Sequence, residues 1–95
     1  MIISQLSIAP VWVGTSLSKY VKIVLDTLKE NNVKFESNDM ATILETDDLD
    51  KLFSIVKEAH NAVLKSGVKR VITELKIDDR KDKNVIIGTK VKAIQ

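Results

Sequence analysis

Hydrophobic and polar residues alternate most regularly in the segment Val68–Arg80, VKRVITELKIDDR. Every second side chain from Val71 to Ile77 is apolar or a threonine, whereas the intervening side chains from Arg70 to Lys76 are mixed. A period of two among β-branched residues predicts a strand that buries one face. The polar run that begins at Asp78 ends it, and the mixed face must meet something partly polar.

Three further segments have strand patterns, and they are Ile2–Pro10, Val33–Ser37 and Met40–Thr46. In the first, Ile2, Leu6 and Ile8 alternate with small or polar residues, and a proline ends the strand. The dipeptide Asn38-Asp39 predicts a two-residue turn between the other two.

Two segments have the spacing of amphipathic helices. The first is expected to begin at an N-cap of Ser16 or Ser18, to run to about Glu30 and to end at Asn31-Asn32. The second is expected to be capped by Asp47 or Asp48 and to run to about Ser66, followed by Gly67. The expected buried stripes are Tyr20, Val21, Val24, Leu25 and Leu28 in the first helix, and Leu49, Leu52, Phe53, Val56, Ala59, His60 and Val63 in the second.

The order β-α-β-β-α-β predicts an α+β fold of the ferredoxin-like type, with two helices on one face of a four-stranded antiparallel sheet. The 95 residues suffice for a single domain, 1–95, and the tail Asn84–Gln95 is expected to add a short helix. The other sheet face would be open and half polar, which predicts a homo-oligomer. Its expected members are Ile3, Gln5, Ser7, Thr42 or its neighbours, Ile72, Glu74 and Lys76.

Composition narrows the function classes. The net charge of +2 is spread along the chain, which does not favour nucleic acid as a partner. The absence of cysteine and the single histidine argue against a metal site and against a catalytic triad, so we expect neither catalysis nor a cofactor. No apolar run approaches the roughly 20 residues of a membrane span, and the expected location is the cytoplasm.

Two functions common among such folds fail on particular residues. An RNA-binding sheet needs exposed aromatic side chains on its central strands, but Phe35 and Phe53 are expected in the core, Tyr20 on a helix and Trp12 in a loop. A phosphatase of the acylphosphatase type needs an arginine in the first strand-to-helix loop, and Val11–Ser18 contains none.

Small-molecule binding is the function class that remains. The candidate groups are Thr15, Ser16 and Ser18 at the first helix, Thr42 and Glu45 on the third strand, Lys76, and Tyr20 or Trp12 for stacking. Each has a simpler interpretation, since the serines can be helix caps and Glu45 can pair with a surface lysine. Asp78, Asp79 and Asp82 are read as a solvated turn, with an Asp–Arg pair between subunits as one option, because they lack calcium-loop spacing.

Four segments taken together resemble the thiamine-binding protein family, also known as UPF0045 or DUF77. They are Thr15-Ser16-Leu17-Ser18 with Tyr20-Val21, Met40-Ala41-Thr42 with Glu45, Glu58-Ala59-His60, and Lys76–Arg80. The resemblance covers nearly the whole chain. It departs at Ala41, where the family usually has glycine, and a methyl group there narrows the pocket or fills a gap in the sheet.

The resemblance implies a cytoplasmic, non-enzymatic homotetramer, a dimer of dimers, that binds thiamine or its hydroxymethylpyrimidine moiety near subunit contacts as carrier, buffer or sensor. The pocket residues that it implies are Thr15, Ser16, Tyr20, Met40, Thr42, Glu45 and Lys76. The alternative is an oligomeric regulatory or assembly protein that binds a protein partner through its sheet face. A thiamine-pathway enzyme that depends on Glu45 is a weaker third reading.

Overall fold

Strands and helices follow one another in the order that the sequence predicts. The structure, a computed structural model, describes residues 1–14 and 16–95. The elements are strands β1 Ile2–Pro10, β2 Lys34–Ser37, β3 Thr42–Thr46 and β4 Val71–Asp79, and helices α1 Ser18–Glu30, α2 Leu49–Lys65 and α3 Thr89–Ala93. The sheet order is β2-β3-β1-β4 with antiparallel neighbours, which confirms the ferredoxin-like α+β fold.

The alternation along β1 separates the two faces of the sheet. Ile2, Ser4 and Leu6 are buried on the side that the helices cover. The residues between them, from Ile3 to Ala9, belong to the other side, which we call the open face. Residues opposite one another on neighbouring strands face the same side of the sheet. Thr42 of β3 and Leu75 of β4, which lie opposite Leu6, therefore face the helices as Leu6 does.

The core lies between the sheet and helices α1 and α2. Its central members are fully buried: Leu6, Leu28, Leu44, Leu52 and Val63. Burial of a side chain of this size stabilises the fold by about 1.5–3 kcal/mol relative to an exposed one. These five positions come from both helices and both central strands, so the core ties all four elements together.

The predicted helix stripes are partly wrong. Phe53 was expected in the core but is 52% exposed, and Leu49 and Val21 are also exposed, at 39% and 45%. Ile55 is buried instead at 3% exposure. The buried stripe of α2 consists of Leu52, Ile55, Ala59 and Val63, which are spaced three to four residues apart. Residues with this spacing share the face of the helix that contacts the sheet, and Phe53 lies outside that face.

The two helices begin differently. The side chain of Asp48 accepts a hydrogen bond of 2.7 Å from the Lys51 N–H, which confirms the expected cap of α2. At α1 the expected serine cap is wrong. Leu17 is the N-cap, with no side-chain hydrogen bond, and its carbonyl accepts from the Tyr20 and Val21 N–H groups. Leu17 lies at the edge of a cavity, although its side chain is 40% exposed.

The connection between β2 and β3 is longer than expected. The Asn38 N–H donates to the Ala41 carbonyl at 3.0 Å, and β3 begins at Thr42 rather than at Met40. The turn therefore comprises Asn38–Ala41 instead of two residues. The reason is the asparagine side chain, whose Oδ1 accepts from the N–H groups of Met40 and Ala41 and so satisfies both within the turn.

The predicted short C-terminal helix is confirmed as α3. The segment before it packs on the sheet through Val85, which is buried, and Lys90 of α3 pairs with Asp78 of β4 at 2.6 Å. Strand β4 continues through Asp79 because Asp78 and Asp79 pair with the start of β1. In the described part of the chain, no helix has the length and apolar character that crossing a membrane requires.

Candidate functional site

A cavity of about 280 Å³ opens on the helix side of the sheet. We call it the hairpin cavity, because the turn between β2 and β3 forms one of its walls. Its lining is Leu6–Pro10 of β1, Leu17, Tyr20, Val21 and Val24 at the start of α1, and Ser37–Thr42. This volume lies near the lower limit of about 300–1,000 Å³ for small-molecule sites.

Two hydroxyl groups meet at this cavity. Thr42 is 7% exposed, lies opposite Ser37 in the register of β2 and β3, and its Oγ1 is 3.3 Å from the Ser37 Oγ. Each hydroxyl can donate one hydrogen bond and accept others, so the pair retains capacity for a ligand. The sequence predicts Thr42 or its neighbours on the open face. Thr42 itself faces the helices because it lies opposite Leu6, and its neighbour Ile43, opposite Gln5, lies on the open face.

The turn holds Met40 at the cavity. The two hydrogen bonds to Asn38 Oδ1 measure 2.8 Å from Met40 N and 3.0 Å from Ala41 N. The Met40 side chain is 86% exposed although it belongs to the lining. A flexible thioether in this position can adapt to an aromatic ring.

Helix α1 contributes the opposite wall. Tyr20 is half-buried and lines the cavity beside Leu17 and Val21. Ser16 is exposed and is not among the lining residues. Thr15, another of the predicted site residues, lies outside the described residues. The structure thus brings together three of the predicted site residues, Tyr20, Met40 and Thr42.

Glu45 and Lys76 belong to the open face, on the other side of the sheet. Glu45 lies opposite Ile3, and Lys76 lies opposite Gln5, both of which alternate with the buried residues of β1. The Glu45 Oε1 accepts a hydrogen bond of 2.8 Å from the Ile87 N–H. Within one chain Glu45 therefore holds the C-terminal segment against the sheet.

Charged groups are scarce at the hairpin cavity. Among the described lining residues, Asp39 carries the one formal charge, and it lies exposed on the turn. The groups with shifted pKa values lie elsewhere. The hydrogen bond from Arg80 lowers the pKa of the Asp82 carboxyl to about 2, and that from Lys90 lowers the pKa of Asp78. The Arg80–Asp82 pair lies within one chain and closes the turn after β4.

Sequence reasoning missed several residues of this cavity, among them Leu17, Ser37 and Asn38. The signal for Ser37 was present, because a hairpin register that includes Thr42 places Ser37 directly opposite it. The sequence predicts Asn38 as a turn residue, and asparagine side chains commonly accept hydrogen bonds from backbone N–H groups in such turns, as Oδ1 does twice here. Leu17 had no signal of its own.

Comparisons with known proteins agree with one another. The family model described as thiamine-binding protein matches residues 4–95. A UPF0045 protein of Methanothermobacter thermautotrophicus is 45% identical over 96 residues, which covers 100% of this chain and 97% of the relative. The crystal structure of MJ1052, a hypothetical protein of Methanocaldococcus jannaschii, is similar with a TM-score of 0.89 and 46% identity, covering 98% of this chain and 94% of that one. A domain of unknown function DUF77 from Bacillus cereus gives a TM-score of 0.84 at 29% identity, over 99% and 89% of the two chains.

Proposed function

The chain belongs to the thiamine-binding protein family, and we propose that it binds thiamine or its hydroxymethylpyrimidine moiety in the hairpin cavity. The binding is reversible and leaves the ligand chemically unchanged, as in a cytoplasmic carrier, buffer or sensor. The observation that carries the location is the meeting of Tyr20, Met40 and Thr42 at one cavity.

The chemistry of the cavity suits an aminopyrimidine. Such a ring presents both donors and acceptors along its edge, which match the two hydroxyls of Ser37 and Thr42. Its flat faces suit the apolar wall formed by Leu6 and Val24 and the sulfur of Met40. Thr15 and Ser16 precede the α1 wall in sequence, and we propose that their hydroxyl groups also contact the ligand.

The remaining two predicted residues need a second subunit. Glu45 and Lys76 lie on the open face, so they reach a ligand only at a contact between subunits. We place them there, in a homotetramer built as a dimer of dimers. The exposed Ile72 and the partly exposed Ile3 and Ile43 on that face support such a contact, because apolar groups gain free energy when a second copy covers them.

Calorimetric titration with thiamine and with hydroxymethylpyrimidine tests the proposal. We expect saturable binding with about one ligand per subunit. The variant Val21→Trp fills the mouth of the hairpin cavity and should weaken binding at least about tenfold, which corresponds to about 1.4 kcal/mol. Val91→Trp is the matched control, since Val91 is similarly exposed, 56% against 45%, but lies on α3.

Each outcome has a clear meaning. Absence of heat and of a thermal shift with either ligand would overturn the ligand class and favour a protein partner. Binding that survives Val21→Trp unchanged would move the site away from the hairpin cavity. Sedimentation of the free protein as a monomer at micromolar concentration would exclude a role for Glu45 and Lys76 at a subunit contact.

A further inference from the structure

Trp12, in the loop between β1 and α1, has an unusual backbone conformation for its residue type. Its φ angle of 66° lies in the left-handed region, which glycine enters freely and bulky side chains rarely adopt. The loop is fixed on both sides of it, because the Val11 N–H donates to the Arg70 carbonyl at 2.9 Å and Val13 packs against the core. The indole ring is left 81% exposed. Strained residues of this kind cluster at functional sites, and a ring presented to solvent is available to a ligand.

The Arg70 side chain lies over that ring. The central carbon of its guanidinium group is 5.2 Å from the centre of the Trp12 ring, which is a cation–π contact. Among the described residues, the Arg70 side chain forms no ion pair, and no oxygen atom accepts a hydrogen bond from it. The ring therefore positions a guanidinium group whose N–H donors remain free for a ligand.

The other arginine of the chain shows what those donors can hold. The Nε and Nη2 of Arg80 donate to the two carboxylate oxygens of Asp82, and the first of these hydrogen bonds measures 2.9 Å. This two-point arrangement is the geometry in which a guanidinium group binds a carboxylate or a phosphate. Arg70 has the same donors but no acidic partner in the described part of the chain. Lys69, beside it, is exposed and likewise has no ion pair there, so the site carries two positive charges.

We propose that Arg70, positioned by Trp12, binds a phosphate group. Two of the phosphate oxygens accept from the guanidinium group, and Lys69 contributes a second positive charge towards the dianion. The segment Val11–Ser18 contains no arginine of its own, but the hydrogen bond from the Val11 N–H brings Arg70 to this loop from the position just before β4.

The phosphate site goes beyond the proposed function and does not rest on it. The described lining of the hairpin cavity includes neither Trp12 nor Arg70. The loop that carries Trp12 nevertheless adjoins that cavity, because it connects Pro10 with Leu17, which both line it. Two sources can supply the phosphate group: free inorganic phosphate, or the phosphate ester of a phosphorylated thiamine held in the hairpin cavity.

Tryptophan fluorescence provides the test, because Trp12 is the one tryptophan of the chain. Inorganic phosphate is titrated at neutral pH and at constant ionic strength, which sodium chloride maintains. We expect a saturable change in emission, since an anion on Arg70 alters the charge beside the indole. Arg70→Gln should weaken phosphate binding at least about tenfold, and Arg70→Lys, which keeps the charge but not the two-point geometry, at least about threefold. Arg80→Gln is the matched control and should leave phosphate binding unchanged.

Trp12→Leu tests the positioning role of the ring. It removes the fluorescent reporter, so the binding of phosphate to this variant and to the wild type is measured by phosphorus nuclear magnetic resonance. The affinity should fall at least about threefold, because the Arg70 side chain loses its fixed place. Circular dichroism confirms that each variant is folded. Wild-type affinity in a folded Trp12→Leu variant would overturn the positioning by Trp12.

Three results would overturn the phosphate site. They are a change in emission that sodium chloride alone reproduces, equal phosphate affinity in the wild type and in Arg70→Gln, and equal losses in Arg70→Gln and Arg80→Gln. Titrations with thiamine and thiamine monophosphate identify the source of the phosphate group. Tighter binding of the monophosphate, with the difference lost in Arg70→Gln, assigns the phosphate ester, whereas Arg70-dependent phosphate binding without that difference assigns free phosphate. Failure of thiamine to bind would overturn the proposed function alone, because the phosphate titration does not depend on it.

Discussion

Thr42 and Glu45 lie three residues apart on β3, and their side chains leave the sheet on opposite faces. Thr42 faces the helices beside Ser37, whereas Glu45 faces the other way and accepts the Ile87 N–H. An odd separation on a strand always divides two side chains in this manner. A pocket within one chain can use one of them, and the hairpin cavity uses Thr42.

The Thr42 hydroxyl is expected to bind the pyrimidine directly. Thr42→Val keeps the volume of the side chain and removes the hydroxyl, so it should lower the affinity for hydroxymethylpyrimidine about three- to tenfold. This range corresponds to a neutral hydrogen bond of about 0.5–1.5 kcal/mol. Calorimetric titration measures the change directly.

Thr46→Val is the control for that substitution. Thr46 lies on the same strand and the same face, is 2% exposed, and its hydroxyl has no hydrogen-bond partner among the described residues. Removal of this buried, unpaired hydroxyl should raise the free energy of unfolding by about 1 kcal/mol and leave affinity unchanged. Equal losses of affinity in both variants would show that the effect of Thr42→Val comes from the sheet and not from the ligand.

Asn38 is expected to set the shape of the cavity wall. Asn38→Ala removes the acceptor for two backbone N–H groups and should lower the free energy of unfolding by about 1–2 kcal/mol, as urea unfolding would show. The pyrimidine affinity should fall with it, because Met40 loses its fixed place. Asn38→Asp keeps an acceptor oxygen and should restore most of both. Full affinity in a destabilised Asn38→Ala variant would contradict a role for the turn in binding.

The sequence was sufficient for the fold because each element has strong local signals. The period of two in β1 and β4, the Asp48 cap and the Asn31-Asn32 ending all predict elements that the structure contains. The sequence predicts the buried residues of each helix less well than it predicts the helix itself. Phe53 and Ile55 are both apolar, and only packing against the sheet decides which of them is buried.

The site was predictable in part. Tyr20 and Thr42 are candidates from the residue pattern and Met40 enters through the family resemblance, but neither source predicts that the three meet at one cavity. The period of two already separates Thr42 from Glu45, so the sequence contained the reason that the seven residues cannot share a pocket within one chain. The cavity wall formed by Asn38 requires a turn of four residues. An Asn-Asp dipeptide is compatible with turns of two and of four residues, so the sequence alone did not predict this wall.

Glu45 is expected to anchor the C-terminal segment. Glu45→Ala removes the acceptor for the Ile87 N–H and should accelerate its hydrogen exchange at least about tenfold, because a half-buried charged acceptor contributes about 1.5–3 kcal/mol. Glu36→Ala, an exposed glutamate on the neighbouring strand and the same face, should leave that amide protected. Equal exchange at Ile87 in the wild type and in Glu45→Ala would mean that the buried Val85 holds the segment alone.

The pairing of Asp78 with Lys90 should make the docking of α3 depend on pH. The hydrogen bond from Lys90 lowers the pKa of Asp78 in the folded protein, so the ionised carboxylate favours the docked helix. A group with a lowered pKa contributes fully above its unfolded value, which is 3.8 for Asp, and the contribution fades as the pH falls through the folded value.

We therefore expect the nuclear magnetic resonance order parameter of the Val91 amide to be constant from about pH 5 to pH 8 and to fall below about pH 4. Asp78→Asn should show the low value at neutral pH with little further change on acidification. Asp50→Asn, on α2, should behave like the wild type. Because the pair is exposed, salt at about 1 M should mimic part of the effect at neutral pH. An Asp78→Asn variant with wild-type order at pH 7 would assign the docking of α3 to Val85 and Glu45 alone.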